Sequence, residues 1–473
     1  MALYAQVTRE IRDGPAGPEI AAFFDLDRTL LAGFSAFAFF QERLFSGRMS
    51  PRELVESVAA ATSFSMGKIG FSGLVTAAAA AFRGLSERAL MEFGEEIFEK
   101  QLARQIYPES RALVEAHQEM GHTVAIVSSA LRHQVEPVAH ALGIEHALCT
   151  RLEVREGAFT GRIVKPTCYG EGKAFYAGEL AQNAGCDLSR SYFYSDSHED
   201  LPLFEIVGNP RPLNPDRTLS EIAQARSWPA RSFRSRGRPG LTEVLRTGLT
   251  AFSLVPSFLS GLPAAILNSS RRDAVNVAIT TWGELGTALA GIELAVAGEE
   301  NLWSQRPAVF IFNHQSGIDA LLLCKLLKRD VVPIGKQELR RTPVLGSLFA
   351  WSGMVFIDRA DSEKAVAAMK PAVEALRSGL SIAIAPEGTR SSTTRVGRFK
   401  KGAFHLAMQA KVPIVPIVFR NAIDALPKHS LVIRPARVEC VVHAPISTRR
   451  WKRAELDRRI EAVRKIYVET LEQ

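Results

Sequence analysis

Two short apolar runs in this 473-residue chain stop abruptly at polar residues. Ile20–Phe24 ends at Asp25-Leu26-Asp27-Arg28-Thr29, and Ala308–Phe312 ends at Asn313-His314-Gln315-Ser316-Gly317-Ile318-Asp319. A β-type run that delivers polar groups at its carboxyl end is the unit of a parallel sheet, where ligands collect at that end of the strands. The unit occurs twice, so two α/β domains are expected. After the first run, Thr123–Val127 and Ser191–Tyr194 read as strands, and Leu131–Leu142 and Ala174–Ala184 as helices. In the second half, Ile292–Val296, Val331–Ile334, Met354–Ile357, Ser381–Ala385 and Ile414–Phe419 read as further strands, with helical patterns at Ala320–Lys328 and Glu363–Arg377.

The stretches between are as informative. Gly33–Tyr107 carries apolar residues at helical spacing, such as Phe37, Phe40, Leu44 and Phe45, and reads as a helical insertion. Trp228–Gly240 gathers Arg, Ser, Gly and Pro and reads as a linker. The residues 247–270 hold no charge, a length that matches the roughly 20 residues needed to cross a bilayer core. Pro256 and Pro263 interrupt that run, and Asp273–Leu289 after it carries Asp273 and Glu284. The pair is expected to form a helical hairpin on or in one leaflet, with Arg271 and Arg272 near headgroups; spanning and burial against the protein stay open as alternatives. Arg449–Lys465 reads as an amphipathic terminal helix.

Composition narrows the function classes. With 47% hydrophobic and 23% charged residues, a packed core is expected. The net charge of +8 fits nucleic acid, anionic lipid or small anions. No zinc-finger spacing or aromatic RNA-binding signature is present, so nucleic acid is not the expected partner. The five cysteines, Cys149, Cys168, Cys186, Cys324 and Cys440, are scattered and suggest neither disulfides nor a zinc site. Met1–Gly17 is polar and is read as a tail without a secretory leader.

At the first strand end, a carboxylate such as Asp25 can attack phosphorus, and a second, Asp27, can protonate the leaving oxygen and later activate water. Attack on an anionic phosphate needs Mg²⁺ and a lysine to offset repulsion. Ser128-Ser129 after the Thr123–Val127 strand, Lys173 after the turn Tyr169-Gly170-Glu171-Gly172, and Asp196 and Asp200 in Tyr194–Leu203 supply matching groups. These four segments in this order resemble the haloacid dehalogenase superfamily, in particular its phosphoserine-phosphatase-like branch (subfamily IB), over about Ala21–Ala225. The resemblance implies a Rossmann-like parallel-sheet hydrolase domain with a helical cap at about 33–107. It implies Asp25 as nucleophile, Asp27 as general acid/base, and Ser128 and Lys173 as phosphate ligands. Mg²⁺ would be held by Asp25, Asp196 and the backbone of Asp27, with Asp200 supporting. Arg28 stands where that family usually has glycine.

At the second strand end, His314 is a competent base and Asp319, five residues on, can fix its tautomer. No protein nucleophile is obvious beside them, so His314 is expected to deprotonate a substrate hydroxyl that attacks an acyl thioester. Downstream lie Gly335-Lys336, Phe356-Ile357-Asp358-Arg359, Pro386-Glu387-Gly388-Thr389-Arg390 and Val412–Ile417. Arg and Lys at strand ends can converge on a phosphate. The ordered set resembles the glycerophosphate acyltransferase family, in particular the 1-acylglycerol-3-phosphate acyltransferases, over about Gly291–Pro445. The resemblance implies His314 as general base with Asp319 its orienter, and Lys336, Arg359, Glu387, Gly388, Thr389 and Arg390 around the acceptor.

The expected organisation is a tail (1–20), a phosphatase-like domain (21–227), a linker and membrane-associated hairpin (228–290), and an α/β acyltransferase domain (291–473). The expected chemistry is acyl transfer from long-chain acyl-CoA to lysophosphatidate, making phosphatidic acid for phospholipid synthesis. A Mg²⁺-dependent phosphomonoesterase for a small substrate is fused to it. Residues 247–290 would hold the chain on the cytoplasmic face of the membrane. Two other readings stay open from the residues: an N-terminal domain that only binds a phosphorylated ligand, and a membrane adaptor without chemistry.

Overall fold

The computed structural model describes residues 2–45, 79–80, 82–233, 235–237, 239–342, 345–357 and 370–472. The chain divides into two compact units, Met1–Arg238 and Pro239–Gln473.

In the first unit the strands are β1 (Ala21–Phe24), β2 (Thr123–Leu131), β3 (His146–Arg155), β4 (Ala158–Val164), β5 (Tyr192–Ser195) and β6 (Asn209–Pro212). They form one sheet in the order β4-β3-β2-β1-β5-β6, parallel throughout except for β4. β1 is central and wholly buried, which is why it reads as an unbroken apolar run instead of an alternating one. The β3–β4 hairpin was not anticipated. Its two-residue turn, Glu156-Gly157, has φ of 51° and 77°, the double left-handed geometry that suits a tight hairpin.

The N-terminal residues are not an unstructured tail. Ala2–Arg12 is a helix whose Val7 and Ile11, four residues apart, pack on the core, while Arg12 pairs with Glu119 at 2.9 Å. Within the expected cap, Ser35–Phe45 and Glu87–Ile97 are helices; residues 46–78 and 81 lie outside the described residues.

The second unit has β7 (Ile292–Ala297), β8 (Val309–Phe312), β9 (Val331–Lys336), β10 (Val355–Ile357), β11 (Ser381–Ile384), β12 (Ile414–Phe419) and β13 (Ala436–Val442). Their order is β10-β9-β11-β8-β12-β13-β7, with β12–β13 the antiparallel pair. β13 was not foreseen; its alternating burial belongs to a strand near the sheet margin. The terminal helix begins at Leu456, later than expected, because Arg449–Glu455 makes turns first. It buries Tyr467 completely, and the Tyr467 hydroxyl donates to the Ile311 carbonyl at 2.7 Å, beneath β8.

Most of the uncharged stretch lies in a helical run, Leu241–Asn268, that is long and apolar enough to cross a membrane, with mean hydropathy 1.6 over its most apolar 18 residues. The two prolines do not break it. Pro256 and Pro263 fall in the first turns of the segments Leu254–Leu259 and Leu262–Asn268, where a missing N–H costs little. The run packs along the helix Arg271–Ala290, which packs on the helix Asp319–Leu327. Close approach is possible because Gly283 faces that last helix: a Cβ there would lie 2.5 Å from the Lys325 backbone nitrogen. The outer face of the run stays bare, with Leu241, Leu245, Leu249, Phe252, Leu259, Leu262, Ile266 and Leu267 all exposed.

Candidate active sites

The first site is built at the carboxyl ends of β1, β2 and β5. The parallel register places Phe24 opposite both Ile126 and Tyr194, so Asp25, one residue on, and Ser128 and Asp196, two residues on in the flanking strands, fall at the same end of the sheet. Lys173 rises from the first turn of the helix Glu171–Ala184. Its ammonium donates to Asp25 Oδ1 and to Asp200 Oδ2, each at 2.7 Å, with all three side chains buried. Ser195 also donates to Asp200 Oδ2, at 2.5 Å. Asp27 accepts from the Ser35 backbone N–H at 2.7 Å and the Ser35 hydroxyl at 3.2 Å. Arg28 reaches Asp196 Oδ2 at 3.0 Å. Ser128 is buried, and its Oγ accepts from the Ala130 N–H at 3.2 Å. His198, in the acidic turn, is tied to Asp216 at 2.8 Å.

The electrostatics follow from four carboxylates facing two cations. Burial raises Asp25 well above the usual carboxylate range, against the pull of Lys173, and Asp200 and Asp196 add repulsion. Burial raises Asp27 to about 6, opposed by the Ser35 bonds. Burial raises Asp196 to about 7, opposed by Arg28 and Lys173. Such a cluster favours a further cation. Among the described residues no group of three or more His, Cys, Asp or Glu side chains is arranged around one point. Asp200 is engaged by Lys173 and Ser195, and Asp27 by Ser35. Asp25 meets Lys173 through Oδ1 and Asp196 meets Arg28 through Oδ2, and the hard oxygen donors of these two carboxylates fit Mg²⁺.

The second site is more local. β8 delivers His314, and the helix that follows begins at Asp319. His314 Nδ1 lies 2.8 Å from Asp319 Oδ2, which also accepts the Gln315 and Ser316 N–H groups at 3.0 Å each. A carboxylate can only accept, so Nδ1 carries the proton and Nε2 is free to act as base. Burial raises Asp319, opposed by the three hydrogen bonds on Oδ2, while its Oδ1 has no hydrogen-bond partner. The loop after the neighbouring strand β11 locks this turn. Glu387 accepts from the His314 N–H and the Gly397 N–H, each at 2.8 Å, and Ser391 N–H donates to the His314 carbonyl at 2.7 Å. Gly388 has φ of 77°, and a Cβ there would lie 2.9 Å from Lys400 Nζ. A Cβ at Gly317 would lie 3.3 Å from Arg390 Nη1. Two cations therefore border the His314 turn, while Thr389 is exposed. Lys336 ends β9 at the same edge of the sheet, and Arg359 lies outside the described residues.

Sequence reasoning missed two supports, Ser35 on Asp27 and Ser195 on Asp200. It also missed Asn313, whose side chain bonds both the N–H and carbonyl of Phe419 at 2.8 Å and ties β8 to β12. Only Asn313 had a local signal, as a polar residue at the end of a buried strand.

The fold and the two strand-end sites define a pair of fused α/β enzyme domains. The family model of haloacid dehalogenase-like hydrolases matches residues 22–205, and that of acyltransferases matches residues 293–420. Over 270 residues the chain is 34% identical to the inhibition of morphological differentiation protein of Streptomyces azureus, covering 55% of this chain and 96% of that protein. It is 32% identical over 250 residues to phosphoserine phosphatase SerB1 of Mycobacterium tuberculosis, covering 51% and 81%. It is 34% identical over 184 residues to the 1-acyl-sn-glycerol-3-phosphate acyltransferase of Cocos nucifera, covering 39% of this chain and 59% of that enzyme. The chain thus spans 59% of the Cocos nucifera enzyme and 62% of the Saccharomyces cerevisiae enzyme of the same name, less than two thirds of either. It belongs to the haloacid dehalogenase-like hydrolases through its first half and carries an acyltransferase domain in its second. Phosphatases of the first family generally use Mg²⁺.

Proposed function

We propose that the second unit transfers a long-chain acyl group from acyl-CoA to lysophosphatidate, making phosphatidic acid. The observation that carries this is the His314–Asp319 pair, held at 2.8 Å in a turn bordered by Arg390 and Lys400. His314 Nε2 takes the proton of the acceptor hydroxyl as its oxygen attacks the thioester carbonyl. Asp319 stabilises the imidazolium, and the thiolate that leaves recovers the proton. Arg390, Lys400, Lys336 and Arg359 supply the charge that would hold the acceptor phosphate, with Gly388 and Thr389 shaping the loop beside it. Glu387 acts by fixing the backbone of His314.

The bare apolar face of Leu241–Asn268 supports attachment to a membrane, and we place that membrane's cytoplasmic side against it. The run lies in the interface instead of crossing. Its inner face is held along the helix Arg271–Ala290, which bears Arg271, Arg272, Asp273 and Glu284 and docks on the α/β domain. That helix in turn packs on the one beginning at Asp319, so the interface and the catalytic pair share one scaffold.

The first unit acts as a phosphomonoesterase on a small substrate. Asp25 attacks phosphorus and forms an aspartyl-phosphate; Asp27 protonates the leaving oxygen, then takes a proton from the water that releases phosphate. Lys173 and Ser128 hold the phosphoryl oxygens. Mg²⁺ on Asp25, Asp196 and the Asp27 backbone would reduce the charge that the nucleophile must approach.

The deciding test is acyl transfer from a long-chain acyl-CoA to lysophosphatidate by the purified chain with detergent or vesicles. Product formation by the wild type and its loss in His314→Ala support the assignment; no product from the wild type overturns it.

A further inference from the structure

Arg28 breaks the pattern of the first site and sits in its most sensitive place. Its φ is 58°, the left-handed region that glycine enters freely and residues with a Cβ resist. The chain nevertheless fixes an arginine there. Asn214 Nδ2 donates to the Arg28 carbonyl at 2.8 Å, Arg28 Nη2 reaches the Asn214 carbonyl at 3.5 Å, and Asn214 Oδ1 accepts from the Phe233 N–H at 2.6 Å. The result is a guanidinium that enters from the solvent edge, with its side chain 40% exposed, and meets Asp196, which is 9% exposed, at 3.0 Å. Lys173 cannot take this part, because Asp25 and Asp200 hold it in the interior.

We infer that Arg28 is a built-in counter-cation that competes with Mg²⁺ for Asp196. The inference rests on the reading of Asp25 and Asp196 as the Mg²⁺ donors. A glycine at position 28 would leave the Asp196 carboxylate open to the ion. An arginine neutralises that carboxylate and repels a second cation from it, so the ion binds only as the guanidinium withdraws. The affinity of the site for Mg²⁺ is thereby set low, and the released guanidinium stays at the mouth of the site. Arg28 is a positioning residue in this account: it acts through Asp196.

Isothermal titration of MgCl₂ into the metal-free full chain tests this without a turnover assay. Arg28→Gly and Arg28→Asn are expected to bind Mg²⁺ about tenfold more tightly than the wild type, the size of a lost charge-assisted hydrogen bond. Arg28→Lys keeps a mobile charge and stays within about threefold. Asn tolerates left-handed backbone, so Arg28→Asn removes the charge without disturbing the turn. Asp196→Asn abolishes binding. Equal affinity in the wild type, Arg28→Gly and Arg28→Asn, with binding still lost in Asp196→Asn, overturns the inference and leaves the metal site standing. No Mg²⁺ binding by any of these proteins overturns the inference and the metal assignment together.

Discussion

The two sites solve the same placement problem with opposite electrostatics. Both stand at the carboxyl ends of parallel strands, β1 in one unit and β8 in the other. The first draws Asp25, Ser128, Lys173 and Asp196 from four distant segments and crowds buried carboxylates until their charged forms are disfavoured. The second keeps its reacting pair inside one turn and uses backbone N–H groups to steady it. Crowded carboxylates suit a site completed by a cation, whereas a single buried carboxylate behind an imidazole suits a site that moves one proton.

The sharpest way to break the comparison is to remove one reacting group from each site. His314→Ala is expected to lower acyl transfer about 10³–10⁴-fold. Asp25→Asn is expected to lower Mg²⁺-dependent phosphate release by at least about 10³-fold. Both rates, measured on both variants, should fall separately; a joint fall would mean that the two chemistries are coupled.

Next in size is Glu387→Ala, which orphans the N–H groups of His314 and Gly397. At about 1–3 kcal/mol per unpaired group, acyl transfer should drop on the order of 10–100-fold. The drop should appear in kcat more than in the acceptor KM. A change confined to KM would place Glu387 against the acceptor instead.

The bare helical face offers a third contrast, because the first unit has no counterpart among its described residues. Replacing Leu249 and Phe252 with Asp should weaken sedimentation with anionic vesicles about tenfold or more, at roughly 1.5–3 kcal/mol per large apolar side chain. Unchanged sedimentation would refute membrane contact through this run.

The smallest expected effect is in stability against pH. Asp27 and Asp196 are raised from 3.8 to about 6 and about 7 by burial. The folded metal-free unit therefore holds protons more tightly than the unfolded chain. That contribution is complete below pH 3.8 and is lost as pH rises through 6 and 7. Melting of the first unit should fall on the order of 5 °C between pH 5 and 8. The fall should be smaller in Asp196→Asn, which does not titrate there, and Mg²⁺ should reverse part of it at pH 8. A melting temperature that rises over this range would contradict the crowding.

Much of this was legible because the relevant constraints are local. Asp25 and Asp27 lie two residues apart, and His314 and Asp319 five apart, so each pair is fixed by one strand and one turn. The periodicities of β1, β8 and β12 and the helices beside them were readable for the same reason. The helix Ala2–Arg12 was missed because Val7 and Ile11 are set among Arg9, Glu10 and Arg12 in a segment read as polar, and the β3–β4 hairpin because Glu-Gly is a weak turn signal. All five cysteines are free.

By itself, then, the sequence determined two α/β units, the carboxylates and the imidazole that stand at their strand ends, and an uncharged run long enough to meet a bilayer. Only the tertiary structure decided how those groups are charged and held. It brought Lys173 to Asp25 across 148 positions and Glu387 to His314 across 73. It also turned Arg28 onto Asp196 and left one face of Leu241–Asn268 bare. The physical reason is that spacing fixes neighbours along one element. Burial, repulsion and the pairing of buried polar groups depend on which elements pack together, and that is set by the whole sheet.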